Sequence, residues 1–249
     1  MNEGMRWPNP HCPPGAVIRS ESMPRWSDLP DNCLLADVSL WSADLPNLQK
    51  SIERMEPYAD SFHIDVMDDR FAPGLLFFPD LVSALRPLSA HPFHVHLIAE
   101  QPSRLIEAFT AAGCDLFSMQ LEAGANELNK CFDYIRESGR EAGLALRLET
   151  PVEGVGDFLD DVVAIVLMGT QSGIKGAELA PEACNRIAAL GELLTTCGRR
   201  DKIRIVADGG IRRHTVPQLR KAGADVVVPG SLAFGASDLN EVFAWMRRL

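Results

Sequence analysis

Three short apolar runs in this chain end in side chains that can hold a metal ion or move a proton. The first reads His63-Ile64-Asp65-Val66-Met67-Asp68, the second Phe93-His94-Val95-His96-Leu97-Ile98, and the third Ile205-Val206-Ala207-Asp208-Gly209-Gly210. If these are strands, alternation sends His63, Asp65 and Met67 to one face of the first, and His94, His96 and Ile98 to one face of the second. Imidazole and carboxylate groups pointing into an interior are costly unless they are paired or bound to a cation. His63, Asp65, His96 and Asp208 together form a set of two imidazoles and two carboxylates. That set suits one divalent ion: Zn²⁺, Fe²⁺, Mn²⁺ or Co²⁺. The plainer explanation, a polar residue satisfied by its neighbour, serves well for any one of them and poorly for four at the ends of separate runs.

A second signal lies in the last third. Asp208-Gly209-Gly210 and Pro229-Gly230-Ser231 each follow an apolar run. Glycine lets an anion approach the backbone, and N–H groups at the start of a helix bind phosphate. Either glycine pair alone is weak, because glycine in a loop is often only a turn.

These residues need elements to position them. Eight apolar runs occur, at 34–40, 62–66, 93–98, 116–121, 144–148, 162–168, 203–207 and 226–228. Segments of helical periodicity lie between them, at 45–55, 102–112, 126–137, 181–194 and 215–222, and 238–249 closes the chain. Ser103 and Asp238 read as helix starts, and Ala112-Gly113, Ala142-Gly143 and Ala222-Gly223 as helix ends. Eight such repeats predict an α/β chain folded as a single (β/α)₈ TIM barrel, with chemistry at the C-terminal ends of its strands. The phosphate signals then fall in the loops after strands seven and eight, where barrels often bind phosphate. A doubly wound sheet is the rival, disfavoured by the number of strands and by the lack of a G-x-G-x-x-G after the first. Prolines at 8, 10, 13, 14, 24 and 30 mark residues 1–30 as an irregular N-terminal arm, packed on the barrel or on a partner subunit; residues 31–249 form the catalytic barrel.

The motifs resemble those of the ribulose-phosphate 3-epimerase family over about residues 34 to 235. Ser39-Leu40-Trp41-Ser42-Ala43-Asp44 is similar to its S-I-L-S-A-D. His63 to Asp68 with Arg70-Phe71-Ala72-Pro73 resembles H-x-D-V-M-D-G-x-F-V-P, and Val95-His96-Leu97 resembles D-V-H-L. Asp208-Gly209-Gly210 and Gly230-Ser231-Leu232-Ala233-Phe234-Gly235 match D-G-G and G-S-x-x-F. The resemblance implies inversion at C3 of a phosphorylated ketose, with D-ribulose 5-phosphate and D-xylulose 5-phosphate the leading pair. It implies Asp65 and Asp208 as acid and base on the two faces of an enediolate, both also metal ligands with His63 and His96. Ser39, Met67, Met168, Gly173, Gly176, Gly209, Gly210, Gly230 and Ser231 match substrate-contacting positions; for the methionines plain core packing is an equal explanation.

The departures concern the parts that measure the substrate. Ile98 stands where the family usually has a methionine, and His94 where it has an aspartate. Met119-Gln120-Leu121-Glu122 replaces H-x-E, and Arg147-Leu148 replaces Asn-Pro. The loop after strand six becomes Met168-Gly169-Thr170-Gln171-Ser172-Gly173-Ile174-Lys175-Gly176-Ala177, in which Lys175 is new. Lys175 is a candidate partner for the phosphate, with Arg212-Arg213-His214 adding local positive charge. A hexulose 6-phosphate or a tetrulose phosphate is therefore the alternative substrate. A barrel decarboxylase or aldolase is a rival, but the lysines at 50, 130, 175, 202 and 221 all read as helix or loop, leaving none for a Schiff base inside the barrel. A non-catalytic phospho-sugar binder would not need four ligand-type residues.

Composition sets the frame for partners. The chain has 249 residues and a formal net charge of −10. That balance argues against nucleic acid or an acidic membrane as partner, and it requires local donors in the site if the small-molecule substrate is anionic. Six scattered cysteines without a C-x-x-C pair, no signal pattern and no apolar run near the roughly 20 residues of a membrane span predict a cytoplasmic protein with reduced, mostly buried thiols. A homo-oligomer is the expected assembly.

Overall fold

The computed structural model describes residues 25–249. Its strands are β1 (Leu35–Ser39), β2 (Ser61–Asp68), β3 (Leu75–Leu76), β4 (Phe93–Ile98), β5 (Leu116–Gln120), β6 (Glu141–Leu146), β7 (Ala164–Met168), β8 (Arg204–Asp208) and β9 (Val226–Val227). The α-helices are α1 (Leu48–Met55), α2 (Pro79–Leu85), α3 (Ile106–Ala111), α4 (Ala125–Glu137), α5 (Ala183–Thr196), α6 (Val216–Ala222), α7 (Ser231–Phe234) and α8 (Leu239–Arg247). Eight strands pair in parallel in the order β1-β9-β8-β7-β6-β5-β4-β2, and β1 pairs with β2 to close the ring. The fold is a (β/α)₈ TIM barrel; closure excludes the doubly wound sheet. β3 is a short antiparallel addition to β2, pairing Met67 with Leu76.

Each strand divides its side chains between two cores. The outward residues, such as Val38, Phe62, Ile64, Val95, Leu97, Ile165 and Ile205, pack beneath the helices. The inward residues in the middle of β6 to β9 are largely apolar, Ala145, Ala164, Val166, Met168, Val206 and Val226, with Asp208 at the C-terminal end of β8 the exception at the mouth. The inward residues of β1, β2, β4 and β5 are largely polar, and Asp37, Ser39, Ser61, His63, Asp65, His94, His96, Ser118 and Gln120 are all buried. Half of the barrel interior is thus a polar wall facing an apolar one.

Several local expectations shift. The strand expected at 144–148 begins at Glu141 and ends at Leu146. Ala142-Gly143 is therefore strand, not a helix end; α4 stops at Glu137, and Gly139 beyond it takes φ 66°. Glycine is needed at 143 because a Cβ there would lie 2.5 Å from Ser118 Oγ. Gly113 and Gly223 do end helices, with φ 91° and 113°. Ser103 caps nothing: α3 begins at Ile106, and the Ser103 hydroxyl donates to Glu127 instead (2.5 Å). Asp238 does cap α8, accepting from the Glu241 N–H at 3.0 Å. Helix α2 went unforeseen because its seven residues give two turns, too few for a clear period. Between β6 and β7 a 3₁₀ segment, Val152–Phe158, replaces the α-helix.

Of the N-terminal arm expected at 1–30, residues 1–24 lie outside the described residues. The following segment packs on the N-terminal end of the barrel. Trp26 is fully buried, its N–H donates to Glu141 Oε2 (2.8 Å), and the Arg204 guanidinium sits over its ring. Cys12 also lies outside the described residues. The other five cysteines are free, and only Cys114 and Cys131 are buried, fewer than expected.

Candidate metal centre and active-site cavity

Asp65 on β2 and His96 on β4 are register partners, as are Met168 on β7 and Asp208 on β8. The pleat turns these residues inward near the C-terminal ends of their strands. His63, Asp65, His96 and Asp208 converge there: one donor atom from each lies within 4.8 Å of all the others. His63 Nε2 is 3.3 Å from Asp65 Oδ1 and 3.7 Å from Asp208 Oδ2. His96 Nδ1 is 3.5 Å from the same two oxygens. The carboxylates stand on opposite sides of the mouth, with β9 and β1 between their strands.

The four residues fit a divalent cation. His63 Nε2 and His96 Nδ1 are buried without a hydrogen-bond partner, although nearly all buried polar atoms find one. Each ring is held by its other nitrogen. His63 Nδ1–H donates to Asp37 Oδ2 (2.9 Å). For His96 the neighbours fix the Gln120 amide: its nitrogen lies 2.9 Å from Glu122 Oε2 and 3.2 Å from the Ala145 carbonyl, so its oxygen accepts from His96 Nε2–H at 2.8 Å. Imidazoles backed in this way present a lone pair to the cluster, as metal-ligating histidines do. Two carboxylate oxygens within 4.8 Å of each other repel by at least about 3.5 kcal/mol at an effective dielectric of 20, a repulsion that positive charge between them relieves.

Without a metal, protons take that role. Burial by itself pushes the His63 imidazole down, but the Asp65 and Asp37 carboxylates outweigh it and hold His63 well above its usual range. Burial also lowers His96, and the Asp208 and Asp65 carboxylates, each 3.5 Å from Nδ1, reverse the shift and raise it. Burial would raise Asp65; His63 and His96 overcome that and hold it below the usual carboxylate range. His94 differs. Burial keeps its imidazole low and neutral, and both nitrogens are satisfied: Nδ1–H by Asp37 (2.6 Å) and Nε2 by the Ser118 hydroxyl (2.7 Å).

Above the cluster lies a cavity of about 200 Å³. Asp65, Asp208, Ser39 and Met168 form its floor, Gly209, Gly210, Gly230 and Ser231 line one side, and Gly173, Lys175 and Gly176 lie over it. The Ser39 hydroxyl donates to Asp65 Oδ2 (3.0 Å). Two glycines are sterically fixed. A Cβ on Gly230 would lie 2.4 Å from Ser42 Oγ, and Gly210, at φ 68°, would press one 2.7 Å from the Leu179 Cα. Met67 is not in the cavity wall; it packs with Ala72 and Ile98 beside it.

The positive charge in the cavity comes from Lys175 and Arg212. Lys175 Nζ donates to the Trp41 carbonyl (2.8 Å) and so ties the loop after β7 to the loop after β1. Arg212 reaches the Gly176 carbonyl (3.3 Å). Its neighbour Arg213 turns away to Glu241 and the Trp245 ring. Arg147 also lies outside: its guanidinium stacks on Phe71 at 3.7 Å and donates to the Phe71 carbonyl (2.5 Å), lining a separate cavity. All five lysines lie on helices or loops, so none stands inside the barrel for a Schiff base. Asp37, Trp41 and Ser42 went unrecognised as site residues, and of the Arg212-Arg213-His214 run expected to add positive charge only Arg212 lines the cavity. Asp37, inside an apolar run, carried no signal.

The model of the ribulose-phosphate 3 epimerase family matches residues 35–234. The chain is 35% identical over 210 residues to a ribulose-phosphate 3-epimerase of Bacillus subtilis, a match covering 84% of this chain and 96% of that protein. It is 35% identical to one from Synechocystis, covering 84% and 91%. Among solved structures it resembles 3-hexulose-6-phosphate synthase of Salmonella typhimurium, with a TM-score of 0.62 at 16% identity over 86% of this chain and all of that one. Orotidine 5'-phosphate decarboxylase of Pyrococcus horikoshii gives 0.61 at 15% identity, over 85% and 97%. At such identities the structural likenesses speak for the barrel alone. No helix among the described residues is long and apolar enough to cross a membrane.

Proposed function

The chain belongs to the ribulose-phosphate 3-epimerase family, and from that premise we propose that it is a divalent-metal-dependent isomerase interconverting D-ribulose 5-phosphate and D-xylulose 5-phosphate. One observation carries the reading: Asp65 and Asp208 meet two unpartnered imidazole nitrogens at the floor of a glycine-lined cavity. His63, His96, Asp65 and Asp208 would hold the cation, which supplies Lewis-acid stabilisation for negative charge developing on the substrate oxygens.

The protein residues do the rest. The C3 proton lies α to the C2 carbonyl. One aspartate takes it as base, the C3–H electron pair becomes the C2–C3 double bond, and the carbonyl pair moves onto oxygen to give an enediolate. The other aspartate delivers a proton to the opposite face of C3, and the carbonyl re-forms. The reverse reaction exchanges the roles. Ser39 holds Asp65 in place through its hydroxyl. Gly209, Gly210, Gly230 and Ser231 offer backbone N–H groups to the phosphate, and Arg212 adds charge.

Metal-replete protein in D₂O is expected to convert D-ribulose 5-phosphate to D-xylulose 5-phosphate with deuterium at C3. No conversion and no exchange would overturn the reading. A panel including a hexulose 6-phosphate and a tetrulose phosphate ranks substrates by kcat/KM; the rebuilt loop with Lys175 is the feature that favours the alternatives. Lys175→Ala is expected to raise KM for the phosphorylated substrate about 10-fold while changing kcat little, because a charge-assisted contact is lost in ground and transition state alike. An unchanged KM would make Lys175 a loop tether only.

A further inference from the structure

Asp37 is fully buried on β1, with its side chain inside the barrel. Its carboxylate accepts three hydrogen bonds. Oδ2 takes the N–H of His63 Nδ1 at 2.9 Å and of His94 Nδ1 at 2.6 Å, and Oδ1 takes the Ser61 hydroxyl at 2.6 Å. Ser61 in turn accepts the Trp26 indole N–H (3.2 Å), so a chain of buried hydrogen bonds runs from the bottom of the barrel to the metal-facing imidazole. This contact settles the tautomer of the neutral His63 ring. With Nδ1–H spent on Asp37, the lone pair that would meet a cation sits on Nε2, which faces Asp65 and Asp208 without a hydrogen-bond partner of its own.

The arrangement also accounts for a departure in sequence. The family's D-V-H-L pattern places a carboxylate at the position occupied here by His94. β2, which carries His63, lies between β1 and β4. Position 94 flanks His63 from one side and Asp37 from the other. We infer that Asp37 is the positioning residue for the metal-facing imidazole of His63, taking over from the opposite side of β2 the carboxylate that the family pattern carries at position 94. His94 then fills the vacated place, neutral and doubly bonded, and donates to the same oxygen. Removing the carboxylate frees the His63 ring to turn and to carry its proton on the wrong nitrogen.

The inference rests on the metal reading above, and its test separates the two. Affinity for Zn²⁺ is measured by competition with a chromogenic chelator, alongside circular dichroism and melting of the metal-free protein. The wild type is expected to bind one Zn²⁺; if it binds none, the metal reading itself falls. Asp37→Asn is expected to keep the barrel spectrum and to lose about 10- to 100-fold in Zn²⁺ affinity, the usual effect of deleting such a partner. The double variant Asp37→Ala/His94→Asp, which returns the carboxylate to the other flank, is expected to regain most of that loss. A folded Asp37→Asn protein with a lowered melting point but Zn²⁺ affinity within about threefold of wild type would show a structural role only and overturn the proposal. Should Asp37→Asn not fold, the double variant decides: wild-type affinity supports the exchange of flanks, and a tenfold or greater loss refutes it.

Discussion

Asp208→Asn and Asp65→Asn are each expected to leave the barrel folded and to lower epimerase turnover by about 10²- to 10⁴-fold, the range for loss of a positioned general acid or base. Both side chains lie at the mouth, where an amide of the same shape disturbs little packing; Asp208 Oδ2 and Asp65 Oδ1 face the imidazoles, not the apolar wall. The sharper outcome concerns exchange. With one aspartate serving each face of C3, losing either one stops inversion in both directions. The surviving aspartate still removes and returns the proton on its own face. One variant is therefore expected to exchange solvent deuterium into D-ribulose 5-phosphate without forming product, and the other into D-xylulose 5-phosphate. Because both are also proposed ligands, metal content is measured in each preparation. Near-wild-type turnover in either metal-loaded variant, or retained exchange into the same epimer in both, would break the two-base mechanism.

Stripping the divalent ion with a chelator is expected to abolish turnover to below about one part in 10³, with recovery on adding back a single divalent ion per chain. The size follows from the charge that the ion stabilises: several kcal/mol of Lewis-acid assistance at about 1.4 kcal/mol per tenfold. The pH dependence has a definite sign. In the metal-free protein His63 is held well above its usual range by Asp65 and Asp37. Its pairing therefore contributes stability that is complete below about pH 6.5 and is lost as pH rises through the raised value. The metal takes the place of that proton, so binding releases it and affinity rises with pH. The rise in melting temperature on adding Zn²⁺ is thus expected to be larger at pH 8 than at pH 6. A gain independent of pH over that range would mean that no imidazole gives up a proton to the ion.

The fold and the reacting groups differ in how they were written in the chain. Period-two alternation placed His63 and Asp65 on one face and His94 and His96 on another, because a pleated strand permits nothing else. Gly209-Gly210 and Gly230-Ser231 fell after the last two strands, and the structure brings them to one side of a single cavity. Boundaries were harder. Ala142-Gly143 has the composition of a helix end, yet Gly143 is strand because Ser118 on the neighbouring strand leaves room for no side chain. Lys175 and Arg147 were equally conspicuous departures, and only packing separated them: one bonds the Trp41 carbonyl over the cavity, the other stacks on Phe71 outside it.

Sequence alone determined the number of strands in the barrel and which residue types reach its mouth, since both follow from local periodicity and from glycine's freedom. The tertiary structure decided who supports them. Asp37 and Gln120 hold the two metal-facing imidazoles from different strands, and their roles depend on register between β1 and β2 and between β4 and β5. Register across strands is set by closure of the whole ring, a non-local property that no stretch of neighbouring residues contains.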